Sequence, residues 1–84
     1  MTQTIKYNNK TIKLPFEINE LDLETMEHDV ANHFSGEWTT LPQFAVAVRA
    51  AILNAELMED YKKVRKGLDW FIKYFTKEYM VLLD

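Results

Sequence analysis

The stretch Gln3-Thr4-Ile5-Lys6-Tyr7-Asn8-Asn9-Lys10-Thr11-Ile12-Lys13-Leu14 decides between an all-helical and a mixed fold, because apolar and polar residues alternate on both sides of Asn8-Asn9. A period of two puts successive side chains on opposite faces of an extended chain. Asparagine tolerates positive φ better than other non-glycine residues, so Asn8-Asn9 predicts a two-residue primed turn joining two antiparallel strands. That turn sets the register: Ile5 lies opposite Ile12, Tyr7 opposite Lys10 and Gln3 opposite Leu14. The apolar side chains then share one face, and Lys6, Thr11 and Lys13 take the other. An isolated two-stranded ribbon is marginal in water, so its apolar face must pack on the rest of the chain; Pro15 ends the second strand.

The remainder of the chain reads as helix. Residues 20 to 34 predict a helix A, capped by Asn19, with Asp22 and Glu24 near its N-terminus and Gly36 as its stop. Its apolar residues Leu23, Met26, Val30 and Phe34 are spaced three and four apart. Thr40-Leu41-Pro42-Gln43 has the form of a capping box with proline in the first turn, which predicts helix B over 41 to 56. Arg49 is the only charge between Phe44 and Leu53, so helix B is expected to be central and most buried. A turn is expected near 56 to 59. Helix C, 58 to 82, is indicated by Leu57, Tyr61, Val64, Leu68, Phe71 and Phe75, with charged residues on the opposite stripe. Neither stripe loses phase at Gly67, so continuity is expected there, with packing nearby offsetting a glycine cost of roughly 1 kcal/mol. The expected fold is α+β and mostly helical: an N-terminal β-hairpin packed on three helices, with a long C-terminal amphipathic helix.

The 84 residues are enough for one compact core, and an apolar content of 48% with 27% charged residues excludes a disordered composition. A chain of this length buries roughly 60 to 65% of its unfolded surface, so a protein partner or a second copy of the chain would add stability. The absence of cysteine excludes a disulfide framework, a thiolate metal site and a thiol nucleophile, and fits a reducing compartment. Residues 1 to 6 lack a secretory apolar stretch, and no run approaches the ~18 apolar residues of a membrane span. A cytoplasmic protein without membrane contact is expected.

Few constellations carry chemistry. On helix A, His28 and His33 would point about 140° apart and cannot share a metal; the bland reading is two partly exposed helical residues. Ser35 lacks the glycine pattern of a nucleophile elbow, and two glycines cannot build a phosphate-cradling loop. Paired carboxylates such as Glu20 and Glu24 read as a solvated face rather than an acid/base site. No catalytic residue, metal or cofactor is expected.

Charge and aromatic content point to binding. Residues 15 to 48 hold seven acids and no lysine or arginine, whereas the net charge of the whole chain is −3. On helix A, Glu20, Glu24 and Glu27 would form an acidic face able to dock on a basic protein surface. Trp70 and Tyr74 flank the core stripe of helix C, where they either extend the core or form an exposed patch. The apolar run Tyr79 to Leu83 must dock somewhere, within the chain or on another molecule, and so brings in Tyr79 and Leu82. The expected function is a small adaptor, inhibitor or assembly factor acting through these residues on a protein partner, with homodimerisation as one form. The alternative is a nucleic-acid-binding accessory role for Lys62, Lys63, Arg65 and Lys66; the flanking acids Glu59, Asp60 and Asp69 weigh against it. In outline, a hairpin followed by helices in a short cysteine-free chain resembles small phage or mobile-element accessory proteins. No motif carries a residue across.

Overall fold

The computed structural model describes residues 3–32 and 34–82. The fold is α+β: two separate two-stranded antiparallel sheets precede three helices. The elements are β1 (Thr4–Tyr7), β2 (Lys10–Lys13), β3 (Glu27–Ala31), β4 (Trp38–Pro42), α1 (Gln43–Leu57), α2 (Tyr61–Tyr74) and α3 (Thr76–Leu82), with one 3-10 turn at Glu20–Asp22.

The first hairpin has the register its turn dictates, with Ile5 opposite Ile12 and Tyr7 opposite Lys10. Asn8 and Asn9 both take positive φ, 50° and 64°, as a primed turn requires. Beyond the ladder, the Gln3 side-chain amide donates to the Ile18 carbonyl at 2.9 Å and accepts from the Ile18 amide at 2.7 Å. This amide acts as a surrogate peptide group and closes the chain after Pro15 against β1.

Helix A does not form. Asn19 caps only the short 3-10 turn, accepting from the Leu21 amide, and residues 27 to 31 are strand β3, paired with β4. The helical spacing of Leu23, Met26, Val30 and Phe34 is coincidental, since Met26 is 68% exposed and Phe34 fully exposed. The alternation His28, Val30 inward and Glu27, Asp29, Ala31 outward is what the fold uses. A partner strand containing Thr39 and Thr40, both β-branched, lies ten or so residues downstream, and long-range pairing overrides local helix preference. Gly36, expected to stop a helix, instead supplies the positive φ of 77° in the β3–β4 connection.

The central helix also starts differently. Pro42 precedes α1 without a side-chain cap, and the capping box is absent. The amides of Gln43 and Phe44 donate to the carbonyls of Met26 and Glu24, so the segment before β3 satisfies the first turn of α1. At its other end the amides of Glu59 and Asp60 bond back to Glu56 and Ala55, a Schellman closure with Glu59 in the left-handed region at φ 59°. The expected turn therefore lies at its late edge.

Helix α2 runs through Gly67 without a break. The glycine is there for packing: a Cβ would collide with Ile52 Cγ1 on α1 and stand 3.4 Å from the Phe16 ring. The long helix C is instead interrupted at Phe75, whose φ of −136° and ψ of 55° leave the helical region. The interruption turns α3 onto β4, so that Tyr79 and Val81 of the final apolar run pack against the core and Leu82 lies in it, while Met80 stays exposed.

The core is aromatic at its centre. Phe44 is fully buried and meets Tyr7 edge-on at 5.5 Å, Trp70 at 6.2 Å and Phe75 at 6.0 Å. Edge-to-face and tilted pairs at these separations are favoured by the ring quadrupoles. Ile12 and Leu14 from the first hairpin, Leu41 from β4 and Phe71 from α2 join the same cluster.

Candidate functional site

The β3–β4 hairpin presents one face to solvent. The pairing sets Asp29 opposite Thr40 and Ala31 opposite Trp38, and these four residues, with Glu27, are exposed. Trp38 is 63% exposed, and Phe34 stands fully exposed in the connecting turn. Large aromatics in water forgo the burial that stabilises the rest of the chain, roughly 1.5–3 kcal/mol for a side chain of Phe size.

The turn that carries Phe34 is built by Asn32. Its side-chain oxygen accepts from the amides of Phe34 at 2.8 Å and Ser35 at 3.3 Å. Its backbone amide donates to Glu37 and its carbonyl accepts from Gly36, while Ser35 Oγ accepts from the Glu37 amide. The Asn32 side-chain nitrogen donates to the Val81 carbonyl on α3 at 2.8 Å. Asn32 is itself buried, so exposed Phe34 sits in a turn anchored to the helical body, and Trp38 begins the strand that follows it.

The same hairpin carries acidic charge. Glu37 precedes Trp38, Asp29 lies two positions along β3 from Ala31, which pairs with Trp38, and Glu27 lies at the far end of the ladder. All three are exposed, and the one ion pair among the described residues, Arg65 with Asp69 at 3.8 Å, involves none of them. Tyr7 Oη lies 3.3 Å from Glu27 Oε1, in position to donate to it. Burial, and then the charge of Glu27, hold the phenol above its ordinary pKa. On the inward row His28 is half-buried, and its Nε2 has no hydrogen-bond partner. It is thus a strand residue facing the body rather than an exposed helical one. His33 lies outside the described residues.

The structure redistributes the residues singled out from sequence. Glu20 sits in the 3-10 turn, Glu24 in the segment whose carbonyl receives Phe44, and Glu27 on β3; all are exposed, but no common helix face unites them. Trp70 is core, 6% exposed, with its indole N–H donating to the Lys13 carbonyl at 2.7 Å. Tyr74 and Tyr79 are half-buried against the same cluster, and Leu82 is buried in it. Trp70 and Leu82 therefore cannot serve as a free surface, because folding already uses them. Leu83 and Asp84 lie outside the described residues. Lys62 and Lys66 are exposed and Lys63 half-buried on α2, while Arg65 turns to Asp69.

Sequence reasoning missed Phe34 and Trp38. The signal was present in Ser35-Gly36 followed by Trp38-Thr39-Thr40, a turn and a strand-forming run. Among the described residues no group of three or more His, Cys, Asp or Glu is placed to hold a metal ion, and no helix is long and apolar enough to cross a membrane. Comparisons with protein-family models, curated proteins and solved structures gave no match.

Proposed function

We propose that the chain is a small non-catalytic protein-binding module, working as an adaptor, inhibitor or assembly factor, and that it docks a basic protein surface on the outer face of the β3–β4 hairpin. The observation that carries this reading is the exposure of both Phe34, in the turn anchored by Asn32, and Trp38, at the start of β4, on a hairpin whose exposed acids are Glu27, Asp29 and Glu37. Aromatic anchors bring large contact area at low entropic cost when their backbone is already ordered. Carboxylates on the same hairpin steer a basic partner and reject an acidic one. An arginine guanidinium satisfies both features at once, stacking on the indole while pairing with a carboxylate.

The test is retention of host proteins and of arginine-rich peptides on the immobilised chain, compared across two sets of variants. Trp38→Ala with Phe34→Ser, and Asp29→Lys with Glu37→Lys, are expected to abolish retention. Glu20→Lys with Glu24→Lys is expected to leave most of it, because those acids stand apart from the hairpin row. Equal retention by all three variants would refute the assignment. Association of the chain with itself, lost in the same hairpin variants, would make the partner a second copy and refute the basic-partner reading.

A further inference from the structure

The opposite charge collects at one place. A cavity of about 460 Å³ opens between the segment after β2 and the start of α2, lined by Phe16, Asp60, Lys62, Lys63 and Lys66. Its size falls within the range of small-ligand sites, roughly 300–1,000 Å³. Position 66 lies one turn from both 62 and 63 on α2, four and three residues on. Arg65 points elsewhere, to Asp69.

Three lysines line this cavity, and none has an ion-pair partner among the described residues. Asp60 is the one acid in the lining, and its carboxylate is engaged in capping α2, accepting from the Lys63 amide at 3.3 Å. The cavity is therefore cationic by about two charges even though the chain as a whole is acidic. Concentrating like charge in a concavity raises the local attraction for anions.

The cavity also has an aromatic wall. The Phe16 ring is half-buried, held over Gly67, and Lys63 Nζ lies 4.9 Å from its centroid. At Gly67 a Cβ would clash with Ile52 but only touch Phe16 at 3.4 Å, an ordinary contact distance. The lining thus offers the Lys62 and Lys66 side chains for a phosphate beside a half-buried ring, one face of which Lys63 covers.

We propose that this cavity binds one nucleotide unit, its phosphate held by Lys62 and Lys66 and its base placed against the part of Phe16 that Lys63 leaves open. The unit is either a free nucleotide or a residue within a single strand. Both present the same chemistry, a phosphate joined to a planar base, and stacking on an aromatic ring tolerates any base. The site lies away from the β3–β4 face, so its test is independent of the protein-docking proposal.

Amide chemical shifts of the full chain are followed at low salt during titration with adenosine monophosphate, with a short oligothymidylate and with inorganic phosphate. The expected result is saturable shifts at Phe16, Lys62, Lys63 and Lys66 with the monophosphate or the oligomer, weakening as salt is raised. Inorganic phosphate is expected to bind at least tenfold more weakly. Saturation by the monophosphate identifies a free nucleotide as ligand; response to the oligomer alone identifies a strand. Lys62→Ala with Lys66→Ala, both exposed and outside the core, is expected to lower affinity at least tenfold while the rest of the spectrum is unchanged. Absence of shifts with either nucleotide probe at millimolar concentration overturns the proposal, as does equal affinity for inorganic phosphate or undiminished binding by the lysine variant.

Discussion

The chain has two tryptophans, and the regions around them meet opposite fates. Trp70 on α2 is closed in by Phe44, Phe71, Tyr74 and Phe75 and bonds the backbone of β2, whereas Trp38 on β4 stands in solvent. Both belong to elements of ordinary amphipathic pattern. What separates them is where the second layer lies: the first hairpin and α1 cover the Trp70 side of α2, while nothing in the described chain covers the outer row of β3–β4. An aromatic side chain thus reads as core or as interface only once its neighbours from distant sequence are known.

Substitutions can break this contrast or sharpen it. The largest effect is expected from Trp70→Ala, which removes a buried indole from the aromatic centre and orphans the Lys13 carbonyl. A loss of about 3–5 kcal/mol, read from chemical denaturation, is expected for a truncation of this type, and a loss under about 1 kcal/mol would show that Trp70 is not core. Asn32→Ala comes next. It leaves the Phe34 and Ser35 amides and the Val81 carbonyl without their partner, for an expected loss of about 1–3 kcal/mol. Faster hydrogen exchange confined to the 32–37 loop and α3 would locate that loss.

A smaller effect concerns Tyr7, which touches both regions through the Phe44 ring and the Glu27 carboxylate. Its folded pKa is raised from 10.0, so the folded state holds the proton more tightly than the unfolded state does. That contribution is complete below the unfolded pKa and is lost as pH rises through the folded one. Tyr7→Phe is expected to flatten the alkaline limb of the stability profile relative to the parent; identical limbs would remove Tyr7 from the account. The smallest stability change belongs to Trp38→Ala with Phe34→Ser, expected within about 0.5 kcal/mol of the parent as for surface sites generally. Partner retention should fall nonetheless. A stability loss comparable to that of Trp70→Ala would erase the contrast.

How much of the fold was legible in the sequence depends on contact distance. The first hairpin was readable because Asn8-Asn9, its alternation and its register are all local. The second was hidden because residues 23 to 34 satisfy a helical spacing by chance, while the strand that recruits 27 to 31 begins at Trp38. Continuity through Gly67 was readable from the phase of the stripes. The interruption at Phe75 was not, since Tyr74-Phe75-Thr76 contains neither glycine nor proline and the break serves the docking of α3 on β4. Of the proposed binding residues, the acidic bias was plain in composition, but exposure is a tertiary property. The sequence reading placed Glu27 on the acidic face of a helix that does not form, and composition could not tell Trp70 from Trp38.

The bond from Asn32 to the Val81 carbonyl spans 49 positions of sequence. During synthesis the 32–37 loop is made well before α3, so the carbonyl that anchors it comes later. The turn that carries Phe34 therefore gains its final setting only when α3 closes behind it. A partner that requires that setting would engage chains in which α3 has docked and pass over those in which it has not.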